Sequence, residues 1–379
     1  MQLTRYKLGD LIVQRREKNN NFDVPIRGVS REGFIMPKQQ EADTSIYNVF
    51  YKNDFVFNPA RMELNSIALN LEFEKALCSS LYEVFYVKDE NVLLPEFLNL
   101  HIKRDEFARH CEYIGSGSAR EYCRFAHISE FDIDLPPLSI QKEIVEADRL
   151  LKRRIALNER MIQNLEATAQ ALYRKLFVDG IDKENLPDGW RMGTVREFCK
   201  KMTSGGTPNR SISKFWNKKD YRWLKTGEVH NNIVIDTEEY ISQEGLDNSS
   251  AKIIPKGSIT VAMYCANGVT GGQVAYLDCE TTTNQACCNM ICNNNSDAAF
   301  LFFYFFNRQE EIKRLANGAA QANLSQELIA QQPILLINDK EIKSLFVPIL
   351  NNLIVLYKEN SKLTELQSSL LAKMGNIKQ

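Results

Sequence analysis

Asn58-Pro59-Ala60-Arg61 is the string nearest to the Asn/Asp-Pro-Pro-aromatic motif that would serve an adenine methyltransferase. Such a site must hold a flipped base and stack on it. This string lacks the second proline and the ring, and reads as a turn. Ser204-Gly205-Gly206-Thr207-Pro208 has the glycines of a phosphate-cradling loop but not the Lys-Ser/Thr that would reach phosphate and Mg²⁺. The Glu-Ile-Lys strings at Glu311 and Glu341 fall in helical stretches, not in an acidic cluster suited to a nuclease metal site. Cys279, Cys287, Cys288 and Cys292 do not keep a zinc-ligand spacing, and the four histidines are scattered. The residue types that do chemistry are present, but none is grouped for catalysis.

What remains is the chemistry of charge. The net charge of −1 does not advertise a nucleic-acid partner, but its distribution does. From Arg191 to Lys225 there are ten Lys/Arg against two acids, and from Arg5 to Lys38 eight against four. Each half of the chain therefore opens on a basic segment, suited to neutralising phosphates and releasing their counterions. The 44% hydrophobic and 25% charged residues are ordinary for a water-soluble globular protein, and 379 residues suit two domains with connectors. No apolar run is long enough to span a membrane, and the opening MQLTRYKLGD lacks the apolar core of an export signal. Nine scattered cysteines, an odd number, then read as reduced thiols in a cytoplasm.

The elements that must position these basic segments are set by a repeat. Ile144, Leu151, Asn158, Leu165 and Leu172 recur every seven residues, with Asp148, Ile155, Ile162, Ala169 and Leu176 between them. The same ladder returns at Ile342, Ile349, Leu356, Leu363 and Leu370, with Phe346, Leu353, Asn360, Gln367 and Met374 between. Steps of four and three put a seam on one face of each helix, about 50 Å long at 1.5 Å per residue. The economical partner for each seam is the other. Parallel and antiparallel pairings both satisfy the pattern, and an antiparallel one places Asn158 opposite Asn360. The alternative is two unrelated amphipathic helices on separate cores, but an ungapped match over five heptads argues against it.

The repeat extends upstream. Ile114–Arg120 and Leu315–Gln321 are small-residue loops, each followed by a proline-marked strand, FDIDLPPLSIQKEI and IAQQPILLINDKEI. Tyr6-Lys-Leu-Gly-Asp10 parallels Trp190-Arg-Met-Gly-Thr194. DFVFNP, LYEVFYV, GSITVAMY and QVAYL read as strands; LPEFLNLHIKRDEFARH and AAFLFFYFFNRQEEIKRLA read as helical stretches, the second apolar nearly all round at its start and so expected to be buried. The domains expected are 1–140 and 190–338, the long helices 141–177 and 339–379, and the linker 178–189.

This layout resembles the specificity subunits of type I restriction–modification enzymes. The strings that carry the resemblance are LPDGWRMGTVREFCKKMTSGGTPNR, GEVHN, ANGAAQANLS and the segment running into QKEI. It covers nearly the whole chain and is closer in the second half. The first half has no Ser-Gly-Gly-Thr-Pro loop, and Arg120-Glu-Tyr-Cys-Arg124 stands where the Gln-Ala-Asn run would be. The resemblance implies an α+β fold with two similar target-recognition domains joined by an antiparallel coiled coil. Each domain would read half of a bipartite DNA site, and the coil would set the gap and dock the partners. It further implies a chain without catalytic activity or cofactor of its own. Two modification subunits would bring S-adenosylmethionine, and two restriction subunits would bring ATP and Mg²⁺ chemistry. Phosphate and base contacts are then expected from Arg31, Lys38, Arg61, Arg120 and Arg124 in the first domain, and from Lys201, Arg210, Lys214, Lys225 and Asn267 in the second. Two other readings keep the architecture: a silent specificity module, and a coiled-coil scaffold whose heads bind protein.

Overall fold

The structure is a computed structural model that describes residues 3–20, 23–37, 43–115, 122–182, 184–264, 271–315 and 324–375. The chain divides into two units, one of residues 1–154 with 363–379, the other of residues 155–362.

The first unit opens on β1 (Thr4–Lys7), which runs antiparallel to β10 (Asp132–Leu135) with Tyr6 facing Ile133. A single helical turn, α1 (Leu8–Leu11), passes directly into β2 (Ile12–Arg15). That strand edges a four-stranded antiparallel sheet in the order β2-β9-β6-β7, where β6 is Phe55–Phe57, β7 is Ile67–Leu69 and β9 is Glu83–Val87. The hairpin β3 (Gly28–Ser30)–β4 (Gly33–Ile35) and the pair β5 (Asn48–Tyr51)–β8 (Lys75–Cys78) complete its strands. Aromatic residues fit a pleated, buried surface, and Phe55 stacks on Phe85 with ring centroids 4.8 Å apart. Helices α2 (Pro95–Ile102), α3 (Asp105–Gly115) and α4 (Phe125–Ser129) supply Phe97, Phe107 and Ile128, all fully buried in the same core. Pro136 and Pro137 end β10, and α5 (Leu138–Phe177) starts at once. Its buried Gln141 accepts a hydrogen bond from the Leu94 amide and donates to the Val92 and Pro136 carbonyls, tying the helix root to the domain.

The second unit repeats this opening. β11 (Trp190–Thr194) pairs antiparallel with β20 (Pro333–Ile337). The turn α6 (Val195–Phe198), capped by the Thr194 hydroxyl on the Glu197 amide, leads to β12 (Lys201–Ser204). A five-stranded sheet follows in the order β12-β19-β16-β17-β14, with β14 Asn232–Val234, β16 Ile259–Ala262, β17 Val274–Leu277 and β19 Cys287–Ile291. Beside it lies a three-stranded sheet, β15-β13-β18, of Glu239–Ile241, Tyr221–Leu224 and Thr282–Thr283. Helix α7 (Gln243–Asp247) is short. Helix α8 (Asn295–Asn307) is buried from Asp297 to Phe305, as its all-round apolar sequence requires. Helices α9 (Gln309–Leu315) and α10 (Gln326–Ala330) precede β20.

Two helical stretches are divided, and one helix expectation needs correction. LPEFLNLHIKRDEFARH is two helices, divided at Lys103–Arg104, and the AAFLFFYFF segment likewise divides at Arg308. In each case the acids that follow, Asp105 and Glu106 or Glu310 and Glu311, favour a fresh N-terminus over continuation. The second long helix is also not continuous from residue 339. A short α11 (Lys340–Ser344), capped by Asp339, ends before α12 (Val347–Gly375). Pro348 explains the break: it has no N–H for the Ser344 carbonyl, and its ring would collide with that carbonyl in an unbroken helix.

The two long helices pair as an antiparallel coiled coil. Within the second unit, Asn158 lies opposite Asn360, while Tyr173 and Phe177 pack on Phe346. Numbers rise along one helix as they fall along the other. Within the first unit the Gln367 amide donates to Asp148 at 2.8 Å, and Val145 shares a core with Met374, which gives the same sense.

The seam residues sit as follows. Leu356 and Asn158 are buried; Ile144, Leu151, Leu165, Leu172, Ile342, Ile349, Asn360, Leu363 and Leu370 are half-buried. The Asn158 Nδ2 donates to Asn360 Oδ1 at 2.9 Å, whereas the buried Asn158 Oδ1 has no hydrogen-bond partner.

Candidate nucleic-acid interface

In the first unit, three turns carry the cations named from sequence. Arg31 sits exposed at the tip of the β3–β4 hairpin. Arg61 lies in the turn Pro59–Leu64, where its backbone (φ −140°, ψ 28°) interrupts the helical geometry. Asn58 caps that turn by accepting the Ala60 amide, so the methyltransferase-like string is spent on a turn. The Cys123 amide donates to the Pro59 carbonyl at 3.1 Å and so brings Arg124 beside the same turn. Arg124 is engaged there: it pairs with Glu83 at 3.1 Å and lies over the Tyr122 ring. Lys38 and Arg120 fall outside the described residues.

Sequence reasoning missed Arg27. With Arg61 it lines a cleft of about 480 Å³, whose other walls include Asn58, Tyr47, Leu81 and Tyr82 and which, among the described residues, no acid lines. The Arg27 guanidinium rests on the Phe73 ring and donates to the Ile26 carbonyl at 2.9 Å. Residues 26–37, 47, 58–61 and 79–82 meet only through the fold, so no local spacing could have marked the cleft.

The basic opening of the second unit is largely neutralised where it stands. Arg191 pairs with Glu197, Arg196 with Glu327 and Arg222 with Asp236. Arg210 pairs with Glu239 and lies against two indoles, 3.7 Å from the Trp216 ring centre and 4.6 Å from that of Trp223. Lys214 pairs with Glu244, and Lys225 with both Glu238 and Glu239. The hydrogen bond from Lys225 to Glu238 raises the lysine above its ordinary range. Burial pushes Glu239 up, but its bonds from Arg210 and Lys225 leave it below the usual carboxylate range. Lys201 is exposed and, among the described residues, without an ion pair; Asn267 lies outside them. The positive stretch in the sequence is therefore not a bare positive patch.

A face of amides and hydroxyls lies next to it. A Cβ on Gly205 would come within 2.0 Å of the Thr283 carbonyl, and one on Gly206 within 2.4 Å of the Ala251 amide nitrogen. The Ser-Gly-Gly-Thr-Pro run is thus a packing device, and the Gly206 carbonyl accepts the Trp223 indole N–H at 2.9 Å. It delivers Thr207 to Gln285 and Ser204 to Gln326. The Met263 amide bonds the Ala286 carbonyl and the Leu324 amide bonds the Met263 carbonyl, so Tyr264 is brought to this face as well.

Burial pushes up the thiols of Cys78, Cys287 and Cys288. Among the described residues, no three His, Cys, Asp or Glu side chains are grouped to hold a metal ion, and no helix is long and apolar enough to cross a membrane.

The sequence model of the type I restriction modification DNA specificity domain matches residues 5–167 and again residues 187–366. The chain belongs to the family of type I DNA specificity subunits. Specificity subunits of this family are non-catalytic, and their function is DNA sequence recognition. The type I restriction enzyme HindI specificity subunit of Haemophilus influenzae is 23% identical over 366 residues, covering 76% of this chain and 78% of that protein. The EcoR124I/EcoR124II specificity subunit of Escherichia coli is 27% identical over 128 residues, 33% of this chain and 30% of its own. In fold, the chain is similar to the crystal structure of a type I S subunit from M. genitalium. The TM-score is 0.60 at 15% identity, over 98% of this chain and 96% of the other.

Proposed function

We propose that this chain reads a bipartite DNA site, one half with each unit, and that its coiled coil spaces the two readers. One observation carries the reading: the strand–turn–strand opening, mixed sheets and long helix occur twice, and the DNA specificity domain matches twice over the same stretches. In the first unit, Arg31 and Arg61 are the favoured DNA contacts, and Arg124 would have to exchange Glu83 for a phosphate. In the second, Lys201 is free to take a phosphate. Arg210, Lys214 and Lys225 would exchange a glutamate for one, which makes them weaker contributors. The amides and hydroxyls around Gln285 and Thr207 suit base edges.

The coil also offers a docking face. Within the second unit, Leu157 and Met161 of α5 and Val355 of α12 lie off the seam, and each is 43–60% exposed. Exposed apolar side chains on a helix already paired along its other face fit two modification subunits that carry S-adenosylmethionine. Two restriction subunits with ATP and Mg²⁺ complete the assembly, in the cytoplasm.

Lengthening both helices by one heptad tests the reading. Seven residues add about 10 Å, or roughly three base pairs at about 3.4 Å each. The gap in the selected site should grow by that amount with both half-sites unchanged. A parent complex that selects no half-sites rejects the reading itself.

A further inference from the structure

We propose that the Arg27–Arg61 cleft of the first unit grips the sugar–phosphate backbone, and so carries a disproportionate share of the salt dependence of DNA binding; this rests on the DNA-reading function proposed above. Three observations converge on it. First, the charge is uncompensated. Arg15, Arg124, Arg196, Arg210 and Arg222 are each matched by a carboxylate. Arg27 has only a carbonyl, a thioether and a ring as partners, and Arg61 has no side-chain partner among the described residues. With no acid among the described residues of the lining, both guanidiniums are available to an anion.

Second, the rest of the cleft fits what flanks a phosphate in DNA. Ile35 and Leu81 line it, 41% and 73% exposed, and Met36, which touches Arg27, is 69% exposed. Apolar side chains left in water beside two arginines match a phosphodiester, whose charged oxygens sit between the apolar faces of two deoxyriboses. A free inorganic anion would leave those side chains without a partner. Asn58 adds a donor, since its Oδ1 is used in capping and its Nδ2 is not.

Third, the basic opening of the second unit is mostly compensated. Six of the ten basic residues in its opening segment, Arg191, Arg196, Arg210, Lys214, Arg222 and Lys225, are held in ion pairs.

The test is fluorescence anisotropy of the full chain with its modification subunit on the selected duplex, from about 50 to 300 mM salt. Each phosphate contact steepens the log–log salt slope by about 0.9, so R27A/R61A should flatten it by about 1.8. The same term predicts roughly 60-fold weaker binding at 0.1 M salt. R27K/R61K should keep the slope, because it keeps the charge. R149A, which removes a surface arginine paired with Glu96 and Glu146, is the comparison for general charge loss. If R27A/R61A does not fold, L81E is read instead. It places a carboxylate on the rim at a position 73% exposed, and should also weaken binding more at low salt than at high. An unchanged slope in R27A/R61A, with wild type still selecting two half-sites, overturns the cleft and leaves the DNA-reading function standing. A wild-type complex with no salt-dependent, sequence-specific binding overturns the function on which the cleft rests.

Discussion

Replacing Asn158 and Asn360 together by leucine should raise stability. Asn158 is fully buried and its Oδ1 is unsatisfied, and its amide makes a 2.9 Å bond to Asn360, which is itself half-buried. The change forfeits that bond, worth about 1 kcal/mol net, but removes a buried orphan acceptor that costs about 1–3 kcal/mol. Two leucines add about 1.5–3 kcal/mol each when fully buried, and less at the half-exposed position 360. Taking the lower half of each range, because the denatured chain already buries part of its apolar surface, the net gain is about 2–4 kcal/mol. At roughly 2–4 °C per kcal/mol for a domain of this size, the melting temperature of the full chain should rise by about 4–16 °C. Asn158→Leu alone should gain much less, because it leaves the Asn360 amide facing a methyl group. Hydrogen exchange measures the second consequence. Without the amide pair, register is less strictly fixed, so seam amides should exchange faster than the added stability allows. A double variant that melts below wild type refutes the argument, since the pair would then be stabilising the coil and not merely setting its register.

Three further outcomes follow from single sites. Gly206→Ala should cost about 1–3 kcal/mol in urea unfolding, because its Cβ would meet the Ser250 and Ala251 backbone at 2.4 Å; a neutral result would show that this contact relaxes freely. Asp278 is buried between Lys256 at 2.9 Å and Lys358 at 2.6 Å, so Asp278→Asn should destabilise the second unit by about 2 kcal/mol. The exposed lysines keep that figure at the low end, and 1 M salt should weaken the wild type more than the variant. Burial pushes the Glu166 carboxyl from the ordinary 4.5 up to about 7. The folded state therefore holds a proton that the unfolded state has lost, and stability should fall as pH rises from about 4.5 to 7. Glu166→Gln should flatten that fall, by an amount on the order of 1 kcal/mol after solvent screening; identical pH profiles would place the titration elsewhere.

The parts of the fold that were legible in the sequence are those set by period and punctuation. The heptad seam could be read because a helix face repeats every three or four residues whatever it packs against. The β1–β10 and β11–β20 pairs were foreshadowed by matching strings, since the same opening and the same proline-marked strand occur twice. Pro348 marks a helix break in the sequence, but the heptad ladder runs straight through it and hides it. The fate of charge was not legible. Arg196 meets Glu327 across 131 positions, and Arg210 meets Glu239 across 29, so a segment that counts as strongly basic in the sequence is compensated in space. Arg27 was invisible for the opposite reason: it stands among ordinary residues and becomes a candidate only when Asn58 and Arg61 fold against it with no acid among the described lining residues.

The central claim is that this chain reads two separated DNA blocks. The most direct measurement is selection from a randomised duplex pool by the chain in complex with its modification subunit, at near-physiological salt. Two short defined blocks on either side of an undefined gap of fixed length are expected. An intact complex that enriches no sequence, or one continuous block, would contradict it.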